Sequence, residues 1–237
     1  MRFYRRLQPI AALSFDLDDT LYDNPPVLRR AEQRLVEWLS VEVQQHAAGQ
    51  IGFWREHKRG VLLQRPQLSG CSTQWRRYTL RSGLAVLGYR AAEAEAVAER
   101  ALSEFLRWRS EIVVPEATLQ LLADLAQRYP LAAISNGNAD VGRFMAQIPF
   151  ACVLQAGRDG PMKPAPDLFH RCCDTLAIAP SQLLHVGDHP DTDVAGALNA
   201  GCQAVWLDPR PDGRPRAPGT RLPTVQIADL QSLRELI

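Results

Sequence analysis

The sequence predicts an α/β protein in which a Rossmann-like parallel sheet carries an inserted helical domain. Three observations lead to this fold class. A short apolar run at residues 10–15 ends in acidic residues, as a buried strand does at a ligand-binding edge. A long stretch with helical spacing and no strand follows it, and helices alternate with short apolar strands from Glu111 onward. We therefore expect residues 1–21 and 111–237 to form the sheet domain and residues 22–110 to form a four-helix cap.

Composition and charge limit the classes of partner. The chain has 237 residues, 46% of them hydrophobic, with a formal net charge of +1 and a pI near 7.7. This balanced charge gives no general attraction to nucleic acid or to an anionic membrane, so we expect neither as a partner. The five cysteines lack the C-x-x-C pairs of structural zinc sites, which favours free thiols in the cytoplasm. The apolar runs are too short for a signal peptide or a membrane span.

The first strand candidate carries an acidic cluster. Apolar residues 10–15 suit a strand buried in a parallel sheet, and Asp16 and Asp18 follow where that strand ends. Carboxylates at the carboxyl ends of strands lie where open α/β sheets bind ligands. For this stretch alone, an acidic turn that closes the strand is the alternative.

Helix signals dominate the insertion. Asn24 followed by two prolines marks a helix start, after which apolar residues recur every three or four positions. Aromatic residues recur at the same spacing, so we expect most of them in the bundle core and one or two against a substrate. They are Trp54, Trp75, Tyr78, Phe105 and Trp108. The four predicted helices lie at residues 24–45, at 53–64, at about 72–88 and around 97–108.

The rest of the chain alternates between helices and short apolar strands, as parallel sheets with right-handed crossovers do. The stretch from Asp208 to Pro223 is rich in Pro, Arg and Gly and is expected to be a loop. The predicted helices are residues 115–128, 166–176 and a helix from Asp193 to 201. The predicted strands are residues 131–134, 150–154, 183–186, 203–207 and 225–227, and a segment at 229–237 closes the fold.

Polar residues of particular kinds follow the predicted strands. Because strand ends of one parallel sheet converge, these residues are expected to meet. They offer a carboxylate nucleophile, a second carboxylate for acid–base chemistry, a hydroxyl and a lysine for phosphate oxygens, and further carboxylates for a hard cation. The candidates are Asp16 and Asp18, Ser135 and Asn136, Lys163, and Asp188 with Asp193.

Charge balance predicts a divalent cation at this edge. Asp16, Asp188 and a phosphate dianion together carry four negative charges, and Lys163 offsets one of them. Repulsion between unit charges in contact is worth about 4 kcal/mol at an intermediate dielectric, so a carboxylate can hardly approach phosphate without Mg²⁺.

Together these stretches resemble the four motifs of the haloacid dehalogenase (HAD) superfamily of phosphohydrolases, in the same order. The motifs are FDLDDTL at residues 15–21, Ser135-Asn136-Gly137, Lys163 before Pro164, and GDHPDTD at residues 187–193. The insertion resembles the helical type 1 cap of that superfamily. The resemblance implies that Asp16 forms an aspartyl-phosphate and that Asp18 is the acid–base residue. It further implies that Asp16, the Asp18 carbonyl and Asp188 bind Mg²⁺, that Ser135, Asn136 and Lys163 hold the phosphoryl group, and that Asp193 supports Lys163 or a metal-bound water.

Within the superfamily, the chain is similar to bacterial phosphatases of the flavin pathway. The resemblance lies in the opening MRFYR, in FDLDDTLYDN at residues 15–24, in Trp108-Arg109-Ser110 and in ISNGN at residues 134–138. It implies that FMN and the riboflavin precursor 5-amino-6-(5-phospho-D-ribitylamino)uracil are substrates. The core residues all address phosphate, metal or proton, so we expect the cap to select the substrate.

Other functions compete with this interpretation. A broad-specificity sugar or nucleotide phosphatase would use the same core. Lys58, the only lysine of the insertion, also fits the Schiff-base lysine of phosphonate hydrolases, although an ordinary solvated face is the simpler interpretation. A haloacid dehalogenase would not need the Asp18 carboxylate. A non-catalytic interaction protein would be expected to lose at least one of Asp16, Asp18, Lys163 and Asp188. His185 is expected to be a core histidine, and His189 to lie in a loop within reach of substrate.

Overall fold

The computed structural model describes residues 1–208 and 221–236 of the chain, which form two compact units. The sheet unit comprises Met1–Asp23, Val113–Gly137 and the described part of Phe144–Ile237. The helical unit comprises Asn24–Ile112 and Asn138–Arg143. None of the helices among the described residues combines the length and apolar character needed to cross a bilayer.

The sheet unit is built on a mainly parallel seven-stranded sheet in the order β1-β7-β6-β5-β2-β3-β4. The predicted α/β class with a central parallel sheet is confirmed. Only the short β1 runs antiparallel to its neighbour. The strands are β1 (Arg2–Phe3), β2 (Ala12–Phe15), β3 (Leu131–Ser135), β4 (Phe150–Gln155), β5 (Leu183–Gly187), β6 (Gln203–Leu207) and β7 (Val225–Ile227).

Strand β2 lies at the topological switch point of this sheet. The chain adds β3 and β4 on one side of β2, then crosses to add β5, β6 and β7 on the other. Every residue of β2 is buried, as expected of a central parallel strand covered on both faces. The crevice at the carboxyl end of β2 is therefore where a sheet of this kind binds its ligand.

Helices of the sheet unit cover the strands with apolar faces. They are α5 (Glu116–Ala126), α7 (Asp167–Leu176) and α8 (Gly196–Asn199); the short α6 (Val141–Phe144) spans the boundary of the two units. In α7, Leu168, Phe169, Cys172 and Cys173 share one buried face against the sheet. Burying a side chain such as Phe169 contributes about 1.5–3 kcal/mol, which holds α7 and the loop before it in place.

The helical unit has four long helices that pack around one apolar core. They are α1 (Asn24–Val43), α2 (Ile51–Gln64), α3 (Ser72–Val86) and α4 (Ala91–Arg109). Trp54, Phe105 and Trp108 are buried in that core, whereas Trp75 and Tyr78 are half-buried. Gly83 permits this packing, because a Cβ there would lie 2.4 Å from the Trp54 ring.

The structure differs from the sequence prediction at β1 and in the segment after His189. Strand β1 was not predicted, because its two exposed residues carry no apolar pattern. The predicted helix from Asp193 is instead a π-helical turn, Pro190–Ala195, followed by α8. There the N–H groups of Asp193 and Val194 both donate to the His189 carbonyl, and the wide turn directs Asp193 into the core. Most of the predicted loop at 208–223 lies outside the described residues.

Candidate active site

Lys163 brings three strand ends together at the switch point. Its ammonium donates to Asp16 Oδ1 at 2.7 Å, to Asp193 Oδ1 at 2.7 Å and to the Ile134 carbonyl at 2.6 Å. The side chain of Lys163 is 1% exposed. Charge-assisted hydrogen bonds of this length are strong, so the three partners hold the ammonium in one position.

Asn136 holds the backbone of Lys163 in position, and Gly187 leaves space for the carboxylate of Asp193. The amide of Asn136 donates to the Lys163 carbonyl at 2.9 Å and accepts from the Lys163 N–H at 2.8 Å. Gly187 leaves room for Asp193, because a Cβ at Gly187 would lie 2.4 Å from that carboxylate. Asn136 was predicted to help hold a phosphoryl group, and the structure shows both polar atoms of its side-chain amide hydrogen-bonded to the Lys163 backbone.

The carboxylate of Asp18 is held by a tight turn after β2. Asp19 adopts a left-handed conformation with φ of 61°, which an aspartate tolerates, and its N–H donates to the Tyr22 carbonyl. The Tyr22 hydroxyl donates to Asp18 Oδ1 at 2.6 Å. A Cβ at Gly137 would lie 2.6 Å from the other oxygen of Asp18. Sequence reasoning missed Tyr22, whose only signal was its place four residues after Asp18.

Ser135 and Asp188 occupy the flanking strand ends. The Ser135 hydroxyl accepts from the Gly137 N–H at 2.9 Å and keeps its own proton to donate. The N–H of Asp188 donates to the Thr20 hydroxyl at 3.1 Å, and the Trp206 indole donates to the Asp188 carbonyl at 2.9 Å. The backbone of Asp188 is thereby fixed while its carboxylate stays partly exposed.

The pKa values at the site reflect burial and the shared lysine. Burial raises the pKa of Asp16 to about 8 despite the Lys163 ammonium, since the charge of Asp193 adds to the burial effect. Burial also raises the pKa of Asp188 to about 6. Burial would raise the pKa of Asp193 as well, but Lys163 and His185 outweigh it and hold that pKa well below its usual range. Burial alone would lower the pKa of Lys163, but the carboxylates of Asp16 and Asp193 outweigh this effect and raise the pKa of the ammonium.

The carboxylates fit a hard divalent cation. One oxygen each of Asp16, Asp188 and Asp193 lies within 4.8 Å of the others. Oxygen ligands of this kind suit Mg²⁺. Asp18 was expected to ligate through its backbone carbonyl, and its carboxylate is not part of this group.

Two histidines flank the site in different ways. His185 is buried on β5, where its Nδ1 lies 2.9 Å from the Ser14 hydroxyl and its Nε2 lies 3.5 Å from Asp193 Oδ1. Burial lowers the pKa of His185 to about 4, so the ring is neutral at physiological pH. His189 Nδ1 accepts from the N–H groups of Asp191 and Thr192, so this ring caps the π-helical turn.

Several known proteins are similar to this chain in sequence. A family model described as a haloacid dehalogenase-like hydrolase matches residues 10–201. The 5-amino-6-(5-phospho-D-ribitylamino)uracil phosphatase of Escherichia coli is 38% identical, and the match covers the whole of both chains. The phosphoserine phosphatase of Thermus thermophilus is 30% identical over 89% of this chain and 94% of that one.

A solved structure is similar to this chain in both fold and sequence. A crystal structure described as a 2-haloacid dehalogenase from Pseudomonas syringae superposes with a TM-score of 0.84 and 33% identity. It covers 96% of this chain and 97% of that one. The family model spans most of the chain, and the motif residues meet at the switch point of the sheet. The chain belongs to the haloacid dehalogenase-like hydrolase family.

Proposed function

We propose that this protein is a Mg²⁺-dependent phosphomonoester hydrolase that works through an aspartyl-phosphate on Asp16. The observation that carries the proposal is the buried trio in which Lys163 bridges Asp16 and Asp193, next to Asp18 held by Tyr22. In this proposal Asp16 is the nucleophile, and Asp18, two residues later, is the acid–base group.

The reaction has two displacements at phosphorus. In the first, an Asp16 oxygen attacks the phosphorus, the bond to the alcohol oxygen breaks, and Asp18 gives its proton to that oxygen. In the second, Asp18 takes a proton from water, whose oxygen attacks the phosphorus and releases Asp16 as a carboxylate. The two displacements together release the alcohol and phosphate and regenerate the free enzyme, with Asp18 protonated as it was at the start.

The other residues bind the phosphoryl group. Lys163 offsets negative charge at Asp16 and at the transferring group, while the Ser135 hydroxyl and the Asn136 N–H donate to phosphoryl oxygens. When bound by Asp16, Asp188 and the Asp18 carbonyl, Mg²⁺ supplies further charge neutralisation. Asp193 supports Lys163 through their buried ion pair.

The substrate proposed is 5-amino-6-(5-phospho-D-ribitylamino)uracil, with FMN as a second. The E. coli phosphatase named for the first compound matches the whole chain at 38% identity, which is the main support. Both compounds join a planar ring to a phosphorylated ribityl chain, so one site can accept both. The free thiols found among the described residues fit action in a reducing cytoplasm.

A substrate panel tests this proposal. We expect kcat/KM for the ribitylaminouracil phosphate and FMN to exceed that for ribose 5-phosphate and nucleoside monophosphates, with all turnover lost in EDTA and restored by Mg²⁺. Equal rates on all phosphomonoesters would indicate a broad-specificity phosphatase instead. Turnover that survives EDTA would contradict the role of the cation.

A 2-haloacid dehalogenase is the second candidate, because the solved structure at 33% identity carries that description. In that chemistry Asp16 would attack carbon and expel halide, a leaving group that needs no proton from Asp18. Chloride release from L-2-chloropropionate in EDTA would favour it. We expect no chloride release.

A further inference from the structure

His185 is a buried polar residue to which the proposed reaction assigns no role. It lies on β5 in the middle of the sheet, and none of its surface is exposed. Its ring packs edge-on against Phe169 of α7, with the two ring centroids 5.0 Å apart. Burying an imidazole costs free energy unless its nitrogens find partners, whereas an apolar side chain would fill the same place at lower cost. The surroundings of the two nitrogens therefore indicate what His185 does.

The two nitrogens of the His185 ring face different partners. Nδ1 lies 2.9 Å from Oγ of Ser14, the residue directly across from His185 on β2. Nε2 lies 3.5 Å from Oδ1 of Asp193, which is longer than a normal hydrogen bond. Within residues 1–208 and 221–236, Nε2 has no hydrogen-bond partner. The Asp193 carboxylate is therefore the group with which this nitrogen can interact.

The charge of Asp193 determines which nitrogen carries the ring proton. A neutral imidazole has one N–H donor and one lone-pair acceptor. The Lys163 ammonium, 2.7 Å from Asp193 Oδ1, keeps that carboxylate ionised in the buried site. A lone pair on Nε2 would face this negative charge and be repelled, whereas an N–H there is attracted. The Ser14 hydroxyl can donate or accept, so it adapts by donating to Nδ1.

The Nε2–H of His185 and the ammonium of Lys163 act on the same oxygen of Asp193. The other oxygen, Oδ2, accepts from the His189 N–H at 2.9 Å. Lys163 in turn donates to Asp16 Oδ1 at 2.7 Å. All of these contacts lie within the sheet unit. A shift of the Asp193 carboxylate would therefore move the ammonium relative to Asp16.

We propose that His185 is a positioning residue of the proposed phosphohydrolase reaction. With its proton on Nε2 and with Nδ1 accepting from Ser14, it fixes the Asp193 carboxylate and, through that carboxylate, the Lys163 ammonium beside the nucleophile. This inference rests on the proposed function and adds a residue that acts on the reaction through Asp193 alone. Hydrogen-bond donors to charged groups stabilise them enough that losing this one should lower the rate about tenfold.

The position of the ring proton can be observed directly. In protein labelled with ¹⁵N-histidine, long-range ¹H–¹⁵N spectra distinguish a protonated ring nitrogen from an unprotonated one, and the ring signals are assigned through bonds from the backbone of His185. We expect the proton on Nε2 in wild-type protein kept in EDTA. A proton on Nδ1 would overturn the inference, because Nε2 would then have nothing to donate to Asp193.

Two amide variants separate the positioning role from the filling of space. The amide of His185→Gln reaches the place of Nε2 and can donate to Asp193, whereas the shorter amide of His185→Asn reaches only the place of Nδ1, next to Ser14. Both variants bury one neutral amide, so both should lower the urea midpoint to a similar degree. We expect kcat/KM for p-nitrophenyl phosphate to fall about tenfold in His185→Asn and to stay within about threefold of the wild type in His185→Gln. Equal losses in the two variants would overturn the inference.

A measurement at Lys163 itself does not depend on turnover. Lys58 and Lys163 are the only lysines of the chain, so ¹⁵N-lysine labelling gives two ammonium signals, which Lys58→Met assigns. We expect the Lys163 signal to shift in His185→Asn and to keep its wild-type position in His185→Gln. The Lys58 signal comes from the helical unit and should move in neither variant. A Lys163 signal that stays unchanged in His185→Asn would overturn the inference.

These measurements separate the inference from the proposed function. If the wild type hydrolyses no phosphomonoester, the proposed function fails, while the ring proton of His185 and the response of Lys163 still decide whether His185 positions this ion pair. If the wild type is an active phosphatase and the two variants behave alike, the function stands and the inference fails. The ring proton is measured in the wild type, so that result is decisive even where an amide variant does not fold.

Discussion

Replacing Lys163 by Met should destabilise the sheet unit, because it leaves two buried carboxylates facing each other. Lys163 Nζ lies 2.7 Å from both Asp16 and Asp193, and Met fills nearly the same space without the charge. Removing one partner of a buried ion pair costs about 3–5 kcal/mol. That is a large share of the roughly 5–15 kcal/mol by which domains are stable, so the variant should fold but unfold at lower denaturant.

The loss should depend on pH in a defined direction. Burial already holds the pKa of Asp16 near 8 in the wild type, and without Lys163 the pKa of Asp193 rises from well below its usual range to above the value of about 4 that aspartate has in an unfolded chain. A group whose pKa is raised on folding destabilises the folded state as pH rises from the unfolded value to the folded one. The free energy lost in Lys163→Met should therefore be larger at pH 8 than at pH 5.

Urea unfolding followed by circular dichroism, in EDTA at both pH values, measures this loss. Lys58→Met is the matched control, since it makes the same chemical change at the other lysine, whose side chain is 30% exposed. That control should lose no more than about 1 kcal/mol. A loss in Lys163→Met that is below 1 kcal/mol, or equal at pH 5 and pH 8, would refute the account of the buried trio.

Three further predictions concern the same site. Tyr22→Phe removes the donor that orients Asp18 and should lower kcat on FMN about tenfold to a hundredfold with little change in Mg²⁺ affinity; an unchanged kcat would remove Tyr22 from that role. Gly137→Ala places a methyl group against Asp18 and should lower kcat while thermal unfolding shifts little, and a rate near that of wild type would show that Asp18 has room to move. Mg²⁺ binding, measured by calorimetry, should tighten between pH 6 and pH 8, because protons on Asp16 and Asp188 compete with the ion up to their raised pKa values of about 8 and about 6; equal affinities at both pH values would contradict this.

The sheet and the residues at its strand ends could be predicted from the sequence. Buried parallel strands are short apolar runs, and the polar residues that end them stand out, as Asp16 after β2 and Ser135 at the end of β3 do. The strands β6 and β7 begin and end where the sequence predicted. The family resemblance drawn from these motifs is confirmed by the family model.

Contacts between distant or irregular segments could not be predicted. The pairing of Glu32 with Lys58 and Arg76 joins three helices and leaves no periodic signal. The π-helical turn at Pro190–Ala195 has the composition of an ordinary helix start, and only its packing reveals the wide turn that buries Asp193. The link from Tyr22 to Asp18 depends on the left-handed Asp19, which the sequence does not mark.

Trapping the covalent intermediate tests the central claim most directly. In Asp18→Asn, p-nitrophenyl phosphate can still donate its phosphoryl group, because p-nitrophenolate leaves without a proton, whereas hydrolysis of the aspartyl-phosphate lacks its base. We predict a burst of one p-nitrophenolate per active site. Borohydride reduction should then convert residue 16 to homoserine, identified by peptide mass spectrometry. A burst followed by reduction of a different acidic residue, or steady turnover with no modified residue, would contradict the assignment of Asp16 as the nucleophile.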